Sequence, residues 1–246
     1  MNHDDPVLRP LQKGRRDLQL ARDYSHRKDE GNTRSLLAKA IKRLREAIHV
    51  MGEGDGRRAA VEADLDEAIH ILDGLDATDR GWTCVEQKKI KDGATGYGFE
   101  KVFAKALLPS IKQVEVVDSY IRTESQVEYF TRLCEILLRR CPCCRLVSLK
   151  TFPEAPTPTF NQANALQNLK RDLDQRGVTL TLEMDRKCPH NRHVTLTEGG
   201  GMEHMFTLDR GLDIYQPRRG FSIGSFDLNL RPCKDADIVY YTRCPQ

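Results

Sequence analysis

Apolar side chains in the first 80 residues recur every three or four positions, which is the spacing of amphipathic helices. One apolar stripe covers residues 37–51, a second covers 61–72, and a weaker one covers 6–28. Gly52 follows the stripe over 37–51, and glycine commonly terminates a helix. The pattern predicts an antiparallel three-helix bundle over residues 1–78, with room for a peptide groove between helices.

Beyond residue 92, short apolar runs alternate with amphipathic helical stretches. The predicted elements are helices over 98–108, 125–140 and 161–175, strands over 114–118, 146–152, 178–185, 205–208, 221–228 and 238–241, and a hairpin at 197–201. The alternation at the start implies right-handed crossovers and a parallel sheet that antiparallel strands then close. The predicted fold class is therefore α + α/β: a helical bundle, a linker over 79–92, and a mixed-sheet α/β domain over 93–246.

The composition is that of a globular protein, with 30% charged and 39% apolar residues. No apolar run approaches the ~20 residues that cross a bilayer, and the first residues lack a secretory apolar segment. The net charge of +3 is too small to indicate nucleic acid by itself. Residues 81–246 hold 24 Lys and Arg against 20 Asp and Glu, whereas residues 1–80 hold 15 against 16. We expect a cytoplasmic protein whose basic excess lies in its second part.

Eight cysteines raise the question of a metal site. Cys141 and Cys144 form a Cys-x-x-Cys pair, and together with Cys188 and His190 or His193 they have ligand types that suit tetrahedral zinc. However, the first pair precedes a predicted strand and Cys188 follows another. If these strands run parallel, the two groups lie roughly 20 Å apart. We therefore predict no bound metal, no cofactor, and reduced thiols.

The segment 190–200 carries the clearest chemical signal. His190 and Arg192 are one residue apart, so a strand places both side chains on one face. An imidazole can attack phosphorus, and a guanidinium offers a fork of donors to phosphate oxygens. In a phosphodiesterase motif of the form His-x-Lys-x4-Asp, the carboxylate position corresponds to Thr197, and Glu198 follows it. The alternative interpretation is a surface histidine on a strand.

The second part of the chain contains several short segments in a specific order. They are Ala-Thr-Gly-Tyr-Gly-Phe at 94–99, Val-Asp-Ser-Tyr-Ile-Arg at 117–122, His-Asn-Arg at 190–192, Arg-Gly-Leu-Asp-Ile-Tyr at 210–215, Phe-Ser-Ile-Gly at 221–224 and Leu-Arg-Pro-Cys at 230–233. With them, residues 93–240 resemble the C-terminal phospholipase D-like domain of MIT-domain-containing proteins (MIT: microtubule interacting and transport). The resemblance implies a catalytically silent homodimer that binds acidic phospholipids. It also implies an N-terminal MIT bundle that binds tails of ESCRT-III filament proteins, although here only the length of the bundle matches.

Two functions of different classes follow from these observations. The first is a non-enzymatic adaptor, peripheral on membranes, that binds anionic phospholipid or phosphate groups through His190, Arg192, Arg122 and Arg210. Its helical bundle would contact a partner protein, such as a tail peptide of an ESCRT-III-like subunit. The second is a homodimeric phosphodiesterase, a nuclease or a phospholipase, with His190 as nucleophile, Arg192 on the phosphate and Glu198 in place of the missing acid. Nucleic acid is a partner only in the second case.

We favour the adaptor on two grounds. The motif's Lys and Asp are replaced by Arg192 and Thr197, and an imidazole without its orienting partner loses orders of magnitude in rate. The chain also has a single His-x-basic pair in a suitable context, whereas phospholipase D chemistry uses two. Dimerisation could supply the second copy, so the enzyme remains the alternative.

Overall fold

The chain forms two compact units, Met1–Gly81 and Trp82–Gln246. The computed structural model describes residues 5–26, 30–51, 54–79, 81–155, 157, 159–185, 192–218 and 220–245. Within these ranges, no helix is both long and apolar enough to cross a bilayer. Each unit has its own hydrophobic core, so we describe them separately.

The first unit is a bundle of three helices, α1 (Leu8–His26), α2 (Glu30–Val50) and α3 (Arg58–Asp79). The centre of the apolar stripe of α2 is buried, with Leu37, Ala40 and Leu44 in clusters with side chains of the other two helices. Gly14 lets α1 approach α2 closely, because a Cβ there would lie 3.0 Å from the Leu44 side chain. The three-helix bundle predicted from the apolar spacing is confirmed.

The second unit is one seven-stranded mixed sheet with helices on it. Its elements are β1 (Thr83–Ile90), α4 (Phe99–Val102), β2 (Ile111–Val117), α5 (Glu124–Arg140), β3 (Leu146–Thr151), α6 (Gln162–Asp174), β4 (Thr179–Met184), β5 (His193–Glu198), β6 (Glu203–Leu208) and β7 (Ala236–Arg243). The strand order is β1-β7-β6-β5-β2-β3-β4, with β2, β3 and β4 parallel and the other pairs antiparallel. The predicted mixed-sheet α/β architecture is confirmed, including the sheet that joins the three parallel strands.

The core of this unit lies between the sheet and α5. A capping box begins α5: the Thr123 side chain accepts the backbone N–H of Gln126, whose own side chain accepts the N–H of Thr123. The apolar face of α5, which includes Phe130 and Leu133, then packs on alternate residues of the strands, such as Val116 and Leu149. The parallel strands β2 and β3 need this cover, because their side chains are apolar on that face.

Three predicted elements differ from the structure. The helix expected over 98–108 is only the four-residue α4, because the chain leaves helical geometry at Phe103 and continues in turns that bury Phe103 and Leu107. The strand expected over 221–228 is a loop without strand pairing, in which Phe221, Ile223 and Phe226 are exposed and Leu228 is buried. Residues 79–92, expected to be a linker, contain the edge strand β1. Its lysine-rich sequence is also typical of a solvent-exposed linker, which explains the wrong prediction. In the structure, these lysines lie on an edge strand, where charged side chains oppose pairing with other chains.

Candidate functional site

The sheet topology brings several loop ends to one edge. Because β5 runs antiparallel to β2, His193 pairs with Val117, and Arg192 lies beside the end of β2. The carboxyl ends of β3, β4 and β6 reach the same edge. We call it the Arg192 edge and define it by Asp118, Tyr120, Arg122, Arg192, Asp209 and Arg210. Of the residues predicted for the site, three therefore lie along one edge.

An aromatic ring joins two of the predicted basic residues. The guanidinium carbon of Arg192 lies 4.1 Å from the centroid of the Tyr120 ring, and that of Arg122 lies 5.4 Å from the same centroid. Arg192 also donates from Nη1 to the carbonyl of Asp209 at 2.5 Å, and Arg122 pairs with Glu154 at 3.3 Å. Cation–π attraction at these distances helps to hold both guanidinium groups beside the ring.

A buried amide holds the loop that carries Arg122. The Gln162 Nε2 donates to the carbonyl oxygens of Ile121 (2.7 Å) and Phe152 (2.9 Å), so the ends of β2 and β3 are tied together below the surface. Arg122 itself donates its backbone N–H to the Gln126 side chain at 3.1 Å. Arg122 is therefore a half-buried cation on a fixed backbone, paired at the surface with Glu154.

Asp118 directly follows β2 and is buried. Its carboxylate accepts the backbone N–H groups of Tyr120 and Leu212, each at 3.0 Å. Burial raises the pKa of the Asp118 carboxyl, and the charge of Arg192 opposes that rise. The positive charge of Arg192 is thus partly balanced from within the protein, which leaves Arg122 as the more accessible cation.

Asp209 is a second acid at the edge. Within the described residues, its Oδ1 is buried and has no hydrogen-bond partner. Burial raises the pKa of the Asp209 carboxyl to about 6, against the attraction of Arg210 and Arg192. Arg210 follows β6 and donates its Nε to the carbonyl of Asp235 at 2.5 Å. The Arg210 side chain is therefore engaged by the segment that precedes β7.

Glu198 is not brought to the Arg192 edge. It ends β5 six residues after Arg192, which corresponds to roughly 20 Å along a strand. Its carboxylate accepts from Ser110 Oγ at 2.6 Å and lies 2.9 Å from His204 Nε2, whose ring is also 2.8 Å from the Tyr240 hydroxyl. These hydrogen bonds lower the pKa of Glu198. A hairpin bulge that swings Glu198 beside Arg192 is therefore not what the chain forms, because other partners hold the carboxylate at the opposite edge.

His190, the predicted nucleophile, lies outside the described residues, as does Cys188. Sequence reasoning did not select Asp118, Tyr120 and Asp209 as site residues. A signal for Asp118 and Tyr120 was present, since both directly follow a buried strand at the position where parallel strands carry ligands. Asp209 is harder to find, because its role depends on the pairing of β6 with β5.

Cys134, Cys141 and Cys144 line a cavity of about 350 Å³ at the opposite edge. Burial raises the pKa of Cys141 to about 11 and raises that of Cys144, so these thiols keep their protons at neutral pH. Protonated thiols are poor nucleophiles and poor metal ligands. Among the residues that the structure describes, no group of three or more His, Cys, Asp or Glu side chains is arranged to hold a metal ion.

The helical unit contains a groove of about 570 Å³ along α2 and α3. Ile41 and Leu72 supply apolar surface, and Lys42, Arg45 and His49 add basic side chains. Glu46 is the acidic residue among its lining. The groove thus combines an apolar floor with mainly basic walls.

The raised pKa of Asp209 predicts a pH-dependent stability. Between about pH 4 and about pH 6 the folded protein keeps the Asp209 proton, whereas the unfolded chain has released it. Stability should therefore fall as pH rises through this window, by at most ~3 kcal/mol. In urea unfolding at a series of pH values, Asp209→Asn should remove this fall and make the protein more stable than the unmodified chain above pH 6. The exposed Asp172→Asn serves as control, and parallel pH profiles for Asp209→Asn and the unmodified protein would contradict the shift.

Known proteins of related sequence match more than half of the chain. Residues 96–242 match a family model described as the phospholipase D-like domain at the C-terminus of MIT. Over 183 residues, the chain is 31% identical to MIT domain-containing protein 1 of Mus musculus, and the alignment covers 74% of this chain and 71% of that protein.

Two solved structures have a related outline at low similarity. Polyphosphate kinase from Porphyromonas gingivalis aligns with a TM-score of 0.35 and 8% identity, over 63% of this chain and 23% of that enzyme. Yeast tyrosyl-DNA phosphodiesterase aligns with a TM-score of 0.28 and 11% identity, over 63% of this chain and 31% of that enzyme. The chain thus spans less than a third of either enzyme, and at these scores nothing about their chemistry transfers to it.

The family match covers most of the sheet, from Gly96 to Thr242, and the mouse relative is aligned over most of its own length. On these grounds the chain belongs to the family of MIT-domain-containing proteins that carry a phospholipase D-like domain at the C-terminus.

Proposed function

We propose that this protein is a non-enzymatic adaptor, in which the phospholipase D-like domain binds anionic phospholipid headgroups and the helical unit binds a partner protein. The observation that carries the proposal is the pair of guanidinium groups, Arg192 and Arg122, within cation–π distance of the Tyr120 ring. Arg192 also donates to the Asp209 carbonyl and Arg122 pairs with Glu154, so both cations are already positioned and binding a phosphate orders little more of the protein. Guanidinium forks bind phosphate oxygens in pairs.

The balance of charge at this edge favours binding over chemistry. Asp118 and the Asp209 carbonyl already engage Arg192, so its charge cannot be concentrated on a transferring phosphoryl group. The acid of the usual motif is absent at Thr197, and Glu198 lies at the other edge with its own partners. Arg122 is half-buried, and a basic residue at such a position contributes electrostatic attraction of ~1 kcal/mol near an anionic surface.

The groove on α2 and α3 supports the second part of the proposal. An amphipathic helix recognised in such a groove places apolar anchors on the floor and complementary charges at the walls. Ile41 and Leu72 suit apolar anchors, and Lys42 and Arg45 suit acidic side chains. The proposed occupant is an acidic amphipathic tail peptide, of the kind that an ESCRT-III-like subunit would supply. A homodimer of the phospholipase D-like domain is part of the proposal and follows from the family resemblance.

The alternative is a homodimeric phosphodiesterase that uses His190. One observation favours it: Asp209, with a pKa of about 6, lies near Arg192, and a carboxyl group of that pKa can act as a general acid. Its weakness is the missing partner that would orient an attacking imidazole. The two functions therefore differ in a measurable property, which is turnover.

For lipid binding, the test is flotation of the full chain with vesicles. Binding to phosphatidylserine-containing vesicles should exceed binding to phosphatidylcholine alone and should weaken at high salt. Arg122→Glu should weaken binding about tenfold, because it removes one positive charge and adds a negative one. Arg139→Glu, at the far end of α5, is the matched control and should bind as the unmodified chain does. Equal binding to neutral and anionic vesicles would reject the headgroup interaction.

For partner binding, the test uses a fluorescent acidic amphipathic peptide. Its dissociation constant should rise about tenfold for Arg45→Glu, since the substitution places a like charge at the wall of the groove. Lys13 is an exposed residue of α1 outside the groove lining, so Lys13→Glu makes the same charge change and should have no effect. If both variants weaken binding alike, the peptide senses net charge and the groove is not its site.

For catalysis, purified protein should show no turnover of bis-p-nitrophenyl phosphate, single-stranded DNA or phosphatidylcholine above the level of His190→Ala. Without an oriented imidazole, rates should fall by roughly 10⁴-fold from those of a complete triad-like site. Turnover that disappears in His190→Ala would establish the phosphodiesterase instead. Loss of that turnover in Asp209→Asn would identify its acid.

A further inference from the structure

A loop between β6 and β7 exposes an unusual number of apolar side chains. We call residues 220–230 the apolar loop. Its base is closed by the bridge between Tyr215 and Cys233 and by a backbone hydrogen bond from Gln216 to Pro232 at 2.8 Å. Four of its side chains are largely in solvent, with exposed fractions of 100% for Phe221, 82% for Ile223, 67% for Phe226 and 52% for Leu230. Of the seven large apolar residues that are exposed among the described residues, four lie in this loop.

The apolar loop is held from beneath by a buried arginine. Arg231 is 4% exposed and donates to the carbonyl oxygens of Gly224 (2.7 Å) and Ser225 (2.5 Å) and to the Tyr129 hydroxyl (3.1 Å). Gly224 adopts φ +85°, and a Cβ there would lie 2.7 Å from the backbone of Arg231. Ser225 Oγ donates to the Gly220 carbonyl at 2.9 Å. The backbone is therefore ordered in a form that directs apolar side chains outward.

Basic side chains accompany the apolar loop. Arg132 of α5 donates to the Phe226 carbonyl at 3.0 Å, and Arg218 precedes the loop, 3.9 Å from Glu128. Asp227 is the acidic residue within the loop, and its carboxylate accepts the Asn229 backbone N–H, so it caps the turn. Exposed aromatic and aliphatic side chains beside arginines are the composition of segments that enter the headgroup region of an anionic bilayer.

The apolar loop also lies near the proposed headgroup site. Arg132, which contacts the loop, lies on α5 eight residues after its first residue, Glu124, a rise of ~12 Å along the helix axis, and Arg122 lies two residues before Glu124. That distance is well within the footprint of one protein domain on a membrane. A bilayer suits the loop, because its interface takes up protruding aromatic and aliphatic side chains while the neighbouring Arg132 and Arg218 meet anionic headgroups.

We propose that the apolar loop inserts Phe221, Ile223 and Phe226 into the interfacial layer of an anionic membrane and anchors the protein there. This inference rests on the proposed lipid-binding function and adds an apolar contribution to it. The charges at Arg122 and Arg192 select the membrane, and the loop supplies a component of binding that salt does not screen. Because Arg231 orders the loop beforehand, insertion costs little conformational entropy.

The test uses a tryptophan placed at the tip of the apolar loop. In Phe221→Trp, emission should shift to the blue on phosphatidylserine-containing vesicles and should be quenched when brominated phosphatidylcholine is included. The native Trp82 is buried in the same unit, so the unmodified chain should show neither change and serves as the control.

A second measurement removes the apolar side chains. Combined Phe221→Asp and Ile223→Asp should reduce binding to the same vesicles at least about tenfold and abolish the binding that persists at high salt. Val85→Asp, which changes an exposed apolar residue on β1, should leave both properties unchanged. Light scattering should give the same oligomeric state for all variants.

Three outcomes would overturn the inference, and they are distinguishable. Vesicle binding without quenching of the tryptophan at 221 would mean that charge alone holds the protein, and the proposed function would stand without insertion. Absence of binding to any vesicle would reject the proposed function and the insertion with it. A change of oligomeric state in the Phe221→Asp and Ile223→Asp variant would make the apolar loop a contact between protein copies.

Discussion

Val117 and His193 face each other where β2 pairs antiparallel with β5, and this pairing decides which side chains share an edge of the sheet. It sets Arg192 beside Asp118 and Tyr120, and it sends Glu198 to the opposite edge. A parallel pairing of the same strands would reverse that distribution. The register of β2 and β5 therefore sets the position of Arg192 beside the buried Asp118. It also sets the distance between Arg192 and Glu198.

Arg192 makes contacts within the fold and also lies at the candidate binding site. Its guanidinium lies on an aromatic ring, donates to a backbone carbonyl and is attracted by a buried carboxylate. A buried acid beside an arginine reduces the cost of removing that arginine from water. The same arrangement weakens the field that a reacting phosphate would feel. Such an edge is better suited to recognising a phosphate group than to stabilising developing charge on one.

The two units present apolar surface in opposite forms. In the helical unit, Ile41 and Leu72 form a groove, which suits a partner that brings its own protruding side chains. In the sheet unit, Phe221 and Ile223 protrude, which suits surroundings that close around them. Basic residues accompany both surfaces, so acidic partners are favoured in each case. An adaptor that joins a membrane to an acidic peptide is consistent with this division.

Elements with a local signal could be predicted from the amino-acid sequence. The three- and four-residue spacing over 37–51 and 61–72 predicted helices that are present, and the alternation of short apolar runs with amphipathic stretches predicted the parallel strands β2, β3 and β4. Arg192 was also identified from sequence, because it forms a His-x-basic pair with His190, and Arg122 was named at the end of the segment 117–122 that carries the family resemblance. For these helices and strands, the spacing of apolar residues close in sequence shows which face is buried.

The loop at 221–228, the strand β1 and the partners of Glu198 could not be predicted from local sequence. Each of them depends on contacts between residues far apart in the chain. Apolar residues 221–228 resemble a strand, yet Arg231 and Tyr129 hold them as a loop with exposed tips. The lysine-rich sequence of β1 is typical of a linker, and only its pairing with β7 makes it a strand. The acid at position 198 is adjacent to Thr197 in sequence, but strand pairing gives it Ser110 and His204 as partners. Local periodicity specifies burial, whereas register and direction specify which groups meet.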